Sequence, residues 1–438
     1  NPEGRMEYWR QGNFTAIVGM WKKALLKSRK GQGRIADPKS EEEKQLERQE
    51  KAVEFLERKM LAKACGRALS EGVGNLDHPE QRAQLERKTL SRCHPLQGYM
   101  IRDPDWQRVS ISLYDRYRRM TRMSGTGPTN FRAEYLIALT HPFKDLRALA
   151  AMEACDKMAE AFVNGELPAW YYSMASDSRM VGLIKSKPTT PNGVPDLRPV
   201  CMGDMRTRAI TSEVSSSHRQ EMRDYFYPHQ VGVGEPSGLI KMHISAKEWL
   251  RSVGNVRKNG IIKLDVTNAF NSAQRKSILE ALLTSDDFGH LTPLVHALLS
   301  AASKIEGIQK TSDEGIRQGC GLASFNFCKV IHPVVMAGVE AGEQVEVYVV
   351  FDMDDGYLVG DLAELIPIFR LLKAKFAAIG LTLVASKSKL LANDPNYGRE
   401  VLSQHPDLQI SMGALEGVDT GTAQNGDGLG IMCAGIPL

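Results

Sequence analysis

Short runs of alternating or β-branched apolar residues predict the strands of this chain. They are residues 181–185, 197–200, 261–266, 347–350, 357–360, 381–384 and 431–433. Two pairs of these runs flank turn-like segments, one rich in Pro, Thr, Asn and Gly and the other containing Asp-Gly. Because such segments between apolar runs are typical of tight connections, both pairs are predicted to form β-hairpins.

Apolar positions at helical spacing predict helices between these strands. They cover residues 41–64, 132–139, 146–164, 205–224, 273–284, 291–303, 322–338 and 362–379. The first helix follows a capping-box sequence that starts at Ser40, and the last precedes Gly380, a typical C-terminal capping residue. The mixed order of helices and strands predicts an α+β fold.

Candidate chemistry begins with three aspartates in or beside predicted strands: Asp265, Asp354 and Asp355. Carboxylates in β-rich stretches are unfavourable unless they are paired, exposed or bound to a metal. If the two strands lie side by side, the aspartates form one acidic cluster of the hard oxygen ligands that Mg²⁺ prefers, together with substrate phosphates. Two such ions about 3.5–4 Å apart stabilise the attacking and leaving oxygens of a phosphoryl transfer. An ordinary acidic turn is the alternative.

Composition narrows the functional classes only slightly. The chain has 438 residues and a formal net charge of +4, which is compatible with nucleic-acid binding without requiring it. Its 7 cysteines are scattered with no CxxC pair, which predicts reduced thiols in an intracellular protein and no cysteine-based zinc site. No apolar run has membrane-spanning length, so no membrane partner is expected.

Three segments in order resemble the motifs of reverse transcriptases. Residues 264–272 (LDVTNAFNS) resemble motif A, residues 318–324 (QGCGLAS) motif B, and Asp354-Asp355 motif C. Flanking segments resemble those of non-LTR retrotransposon reverse transcriptases, so that the resemblance covers most of residues 65–438. These flanking segments are residues 127–131 (GPTNF), 230–234 (QVGVG), 381–387 (LTLVASK, like motif D) and 430–437 (GIMCAGIP, like motif E).

The resemblance implies a role for each matching residue. Asp265 and Asp354 would bind two catalytic Mg²⁺ ions, with Asp355 supporting them, and Phe270 would be the steric gate against ribonucleotides. The other residues implied in binding the incoming nucleotide are Lys185 or Lys187, Arg198, Gln318, Gly319 and Lys387. Taken without the family, a ring such as Phe270 fits a core position equally well, and lysines or arginines beside a turn are usually solvated.

This sequence also departs from the family pattern. Asp352 stands two positions before the Asp pair, where an aromatic or small residue is usual, and Gly321 and Ser324 stand where motif B has proline or commonly proline. Asn326 and Lys329 fall in a helix that is normally apolar. No thumb segment is expected after the motif E-like strand. These departures favour an alternative: a catalytically silent reverse-transcriptase fold that binds RNA or protein within a larger ribonucleoprotein assembly.

The resemblance implies the right-hand fingers and palm of a polymerase, with an antiparallel palm sheet backed by helices. The expected domains are a helical N-terminal extension (1–123), fingers (124–260), palm (261–390) and an acidic, Gly-rich segment with the motif E-like strand (391–438). Expected partners are an RNA template, a DNA or RNA primer and dNTPs. The family implies a nuclear location, and the sequence leaves an organelle open.

Overall fold

The computed structural model describes residues 41–57, 72–91, 105–140, 146–185, 193–252, 257–284, 287–301 and 303–413, some isolated positions and two short strands near the C-terminus. The chain divides into two units, Asn1–Glu71 and Gly72–Leu438. Helix α1 (Glu41–Glu57) belongs to the first unit and begins where the capping-box sequence predicts. The elements that follow belong to the second unit.

Helices make up much of the second unit. Those of its N-terminal half are α2 (Pro79–Lys88), α3 (Tyr114–Arg118), α4 (Ala133–Leu139), α5 (Leu146–Val163), α6 (Ala169–Ser176), α7 (Met205–Ser217), α8 (Arg219–Phe226) and α9 (Gly238–Ser252). Those of its C-terminal half are α10 (Ala269–Ser272), α11 (Arg275–Leu283), α12 (Thr292–Ser300), α13 (Ala323–Glu343), α14 (Leu362–Ala378) and α15 (Pro395–Gln404). Single 3-10 turns cover Gly289–Leu291 and Pro406–Leu408.

The strands form two sheets and one isolated pair. They are β1 (Ser178–Ile184), β2 (Leu197–Gly203), β3 (Asn259–Thr267), β4 (Ser303–Glu306), β5 (Thr311–Ser312), β6 (Tyr348–Asp352), β7 (Asp355–Asp361), β8 (Thr382–Leu383), β9 (Lys389–Ala392), β10 (Ser411–Met412), β11 (Met432–Cys433) and β12 (Ile436–Pro437). The larger sheet has the order β10-β9-β3-β7-β6, with β8 also paired to β3, and the smaller has the order β2-β1-β4-β5. Strands β11 and β12 pair with each other. The molecule is therefore a mixed α+β protein, as the sequence predicts.

The larger sheet is covered on both faces near its centre. Side chains alternate along β3, so that Ile262 and Leu264 join the main core with residues of α13 and α14, whereas Ile261 packs with Met242 and Ala246 of α9. Burying each such aliphatic side chain contributes about 1.5–3 kcal/mol. This two-sided packing fixes β3, β6 and β7, and with them the residues at their ends.

Two sequence predictions need correction. The helix predicted over 205–224 is interrupted at His218, which separates α7 from α8. The segment 391–438, which the sequence predicts to be acidic and Gly-rich with one strand near its end, begins with the last residues of β9 and also contains α15. Asp394 caps α15 by accepting hydrogen bonds from the backbone N–H groups of Asn396 and Tyr397.

Other predictions agree with the structure. Both predicted hairpins form, as β1–β2 and β6–β7. Cys155, Cys201, Cys320 and Cys328 are free thiols, as their spacing predicts. Among the helices of the described residues, none combines the length and the apolar character needed to cross a bilayer.

Candidate active site

The acidic segment forms the tight turn between β6 and β7. Met353 and Asp354 are its two central residues, and Met353 has a φ of +55°. Two-residue hairpin loops commonly place a central residue at positive φ, because this backbone twist matches the twist of the strands. Asp355 and Gly356 are the first residues of β7, so the turn lies earlier than the Asp-Gly signal indicates. Gly356 is required there because a Cβ would meet the Phe351 ring.

Strand register aligns three carboxylates across the sheet. Asp265 of β3 lies directly opposite Asp355 of β7, and Asp355 lies directly opposite Asp352 of β6. Residues directly opposite in antiparallel strands share a face of the sheet, and like charges in such positions destabilise it. We call Asp265, Asp352, Asp354 and Asp355 the acidic row. A cation would relieve the repulsion within it.

The pKa values of Asp354 and Asp352 report this repulsion. Burial, together with the charges of Asp355 and Asp265, raises the pKa of Asp354 to about 6. Burial and the charge of Asp355 also raise the pKa of Asp352. Lys263 moderates the repulsion, since its Nζ lies 3.3 Å from Oδ1 of Asp355.

The turn is held from two sides. The thiol of Cys328, on α13, forms a hydrogen bond with the backbone N–H of Met353, and burial raises the pKa of this thiol. On the other side, residues 229–231 hydrogen-bond to Phe351, and a Cβ on Gly232 would come 2.7 Å from the backbone nitrogen of Met353. The segment 230–234 therefore packs directly against the turn.

Basic side chains predicted to bind a nucleotide lie near the acidic row. The positive charge of Arg198, on β2, opposes the rise in the pKa of Asp354 and offsets a part of it. Lys185 pairs with Asp196 at 2.6 Å, and Lys387 donates a hydrogen bond to Oγ1 of Thr267 at 3.1 Å. Lys187 lies outside the described residues.

Sequence reasoning missed Lys88, which the structure adds to this basic group. Its Nζ lies 2.6 Å from Asp196, and its pKa is lowered by burial and by the charges of Lys185 and Lys387. Its backbone carbonyl accepts a hydrogen bond from Asn268, which follows β3. Lys88 is more than 100 positions from these partners, so no local pattern identifies it.

The motif B-like loop is held against β2 and α7. The carbonyl of Gln318 accepts a hydrogen bond from the N–H of Cys201 at 3.0 Å. Gly319 has a φ of +115°, and a Cβ there would meet the Cys201 carbonyl. The N–H of Gly321 donates to Oγ1 of Thr211 at 3.1 Å, a bond that proline could not make. Glycine at position 321 thus allows a hydrogen bond to Thr211 that proline would remove.

Phe270 is positioned by α13. Its ring stacks on that of Phe327 with 4.7 Å between centroids, and its carbonyl accepts a hydrogen bond from the N–H of Ile316. Phe270 is half-buried, so one part of the ring packs on the core and another part is accessible.

The polar residues of α13 are also accommodated. Lys329 is buried, donates a hydrogen bond to Tyr225 at 2.6 Å, and lies over the rings of Tyr225 and Phe288. Burial lowers its pKa to about 8, while the two rings favour the charged form. Asn326 is buried, and its Oδ1 has no hydrogen-bond partner among the residues that the structure describes.

The carboxylates of the acidic row do not by themselves form a compact group of three metal ligands. Within the described part of the chain, His218, Glu221 and His290 are the only three His, Cys, Asp or Glu residues whose ligand atoms all lie within 4.8 Å of one another. No three carboxylates of the row therefore have ligand atoms that all lie within that distance of one another. Carboxylates with basic side chains in their neighbourhood suit a cation bound together with a phosphorylated ligand.

The chain was also compared with known proteins. No family model matches it, and no curated protein matches it significantly.

Proposed function

We propose that this protein is an RNA-templated DNA polymerase that acts by two-metal nucleotidyl transfer. The observation that carries the proposal is the acidic row, in which Asp265 and Asp355 are directly opposite and Asp354 stands in the adjoining turn. In this proposal the β3–β7–β6 sheet with α13 and α14 serves as the palm, and the β1–β2 hairpin is part of the fingers.

Each of the site residues has a proposed role in the reaction. Asp265 and Asp354 would hold two Mg²⁺ ions, which would supply positive charge to stabilise the charge that develops during transfer from an incoming dNTP. Arg198, Lys185 and Lys387 supply positive charge for the triphosphate. Gln318 and Gly319 line the pocket for the nucleotide and template, and Phe270 excludes the 2′-hydroxyl of ribonucleotides.

Primer extension on an RNA template, with Mg²⁺ and dNTPs, tests the proposal. We expect extension by the unaltered protein and none by the Asp265→Asn variant, because a lost metal ligand removes transition-state stabilisation of several kcal/mol. Asp224→Asn, an exposed change on α8, is the matched control. A folded protein that binds RNA but never extends a primer would overturn the proposal.

A second function is favoured by Asp352. This third carboxylate raises the negative charge of the row and has a raised pKa of its own. A silent fold that binds RNA or protein within a larger ribonucleoprotein assembly would tolerate such crowding. The Asp352→Tyr variant separates the two functions. If the protein is a polymerase, the variant should still extend primers; if it is a silent fold, the variant should show no extension.

Phe270 provides a test of substrate choice. We expect Phe270→Ala to weaken discrimination between dNTPs and rNTPs by about 10–100-fold, because removing the ring opens space for the 2′-hydroxyl. Single-nucleotide incorporation with matched dNTP and rNTP measures the ratio. Phe327→Leu removes the stacking partner but keeps the gate, so it should retain most of the discrimination. Unchanged discrimination in Phe270→Ala would show that this ring packs only on the core.

A further inference from the structure

The interruption between α7 and α8 brings together a second group of potential metal ligands. His218 is the residue between the two helices, Glu221 lies in the first turn of α8, and His290 lies in the 3-10 turn before α12. Nε2 of His218 and Nε2 of His290 are 3.0 Å apart, and the ligand atoms of all three residues lie within 4.8 Å of one another. None of the three belongs to the acidic row.

The orientation of His218 is fixed by its other ring nitrogen. Nδ1 lies 2.9 Å from the carbonyl oxygen of Val214, which can only accept a hydrogen bond. Nδ1 therefore carries the proton, and the lone pair of Nε2 points towards His290. A backbone carbonyl bound to the second nitrogen is the usual arrangement of metal-binding histidines, since it fixes both the tautomer and the ring.

His290 is held by its surroundings as well. Its neighbour Phe288 is fully buried, and a Cβ on Gly289 would lie 2.6 Å from Nε1 of Trp106. The turn is thus anchored on both sides of Gly289. The two histidine rings are half-buried, whereas Glu221 is exposed.

We propose that His218, Glu221 and His290 bind one Zn²⁺ ion, with water as the fourth ligand. In a tetrahedral site, two nitrogen ligands that each lie 2.0–2.1 Å from the ion are ~3.3 Å apart. This is close to the 3.0 Å between Nε2 of His218 and Nε2 of His290. Two histidines and a carboxylate with one open position form a known zinc-ligand set. The ion would join the α7–α8 junction to the turn before α12.

A simple hydrogen bond between the two rings is the competing explanation, in which Nε2–H of His290 donates to Nε2 of His218. Zn²⁺ titration of the full chain after chelator treatment, read by competition with a chromophoric chelator, distinguishes the two. We expect one equivalent of Zn²⁺ to bind and to raise the Tm. Co²⁺ in its place should give the intense visible absorption of a tetrahedral site.

Variants assign the binding to these residues. His290→Ala should weaken Zn²⁺ binding at least about 100-fold and Glu221→Gln about tenfold, because each removes a ligand. His78→Ala, which removes an exposed histidine elsewhere, should bind as the unaltered protein does. Circular dichroism of the metal-free variants checks that they fold.

Absence of stoichiometric Zn²⁺ binding by the unaltered protein would overturn the proposal, leaving a hydrogen-bonded histidine pair. Retained affinity in both His290→Ala and Glu221→Gln would also overturn it, since the ion would then bind elsewhere. Glu221→Gln keeps both rings, so it tests the site even if His290→Ala fails to fold. These outcomes do not depend on primer extension.

Discussion

Asp354→Asn is expected to abolish primer extension and, at the same time, to make the metal-free protein more stable. The loss of activity should be at least about 10³-fold, because removing a metal ligand forfeits about 4 kcal/mol of transition-state stabilisation. The gain in stability has a separate cause. The Asp354 carboxylate is half-buried beside Asp355 and Asp265, and a neutral amide removes that repulsion.

The sign of the pH dependence follows from the raised pKa of Asp354, about 6 in the folded protein. The folded state holds the proton more tightly than the unfolded state, so the contribution of this group is fully present below the unfolded pKa, near 4, and is lost as pH rises through 6. The charged form therefore costs about 3 kcal/mol at neutral pH. Asp354→Asn should remove most of this dependence between pH 4 and pH 6.

Urea denaturation in EDTA from pH 4 to pH 8 measures this effect, and repeating it with Mg²⁺ completes the test. Mg²⁺ should stabilise the unaltered protein, because it binds the folded acidic row, and should stabilise Asp354→Asn much less. Asp224→Asn is again the control and should behave as the unaltered protein. If Asp354→Asn were less stable in EDTA, or gained as much from Mg²⁺, the acidic row would not be a cation site.

The acidic row also shows how far sequence reasoning reaches. Apolar runs on both sides of Asp354 and around Asp265 predict buried strands, and both hairpins and most of the predicted helices form. Pattern alone does not give register. Only the structure shows that Asp352 stands in line with Asp355 and Asp265, which explains why its pKa is raised.

The features that the sequence did not predict have physical reasons. Lys88 reaches the site through Asp196 and Asn268, contacts that depend on tertiary packing rather than on local pattern. The interruption at His218 follows a run of serines, which leaves the helix weak without marking its end. Helix α15 did carry a local signal, Asp394 followed by proline, that the surrounding Gly, Asp and Asn residues obscure.

Introducing proline into the motif B-like loop, where reverse transcriptases usually have it, should harm this protein. We expect Gly321→Pro to lower the free energy of unfolding by at least about 3 kcal/mol. Proline removes the hydrogen bond from the Gly321 N–H to Thr211, and a Cβ at this position would lie 2.6 Å from the carbonyl carbon of Thr211 and 2.7 Å from Cα of Ser212. These atoms belong to the backbone of α7, which cannot move away cheaply.

Two further variants separate the causes. Thr211→Val removes the bond from the Gly321 N–H together with the one that Oγ1 of Thr211 donates to the Thr207 carbonyl, without a steric conflict, and should cost about 1 kcal/mol. Gly321→Ala keeps both bonds and introduces the steric conflict. Urea denaturation should rank the losses as Thr211→Val, then Gly321→Ala, then Gly321→Pro. A Gly321→Pro variant that is as stable as the unaltered protein and extends primers faster would mean that Gly321 marks a decayed motif. The expected ranking would instead make it part of a loop that is repacked against α7, a departure compatible with a working polymerase.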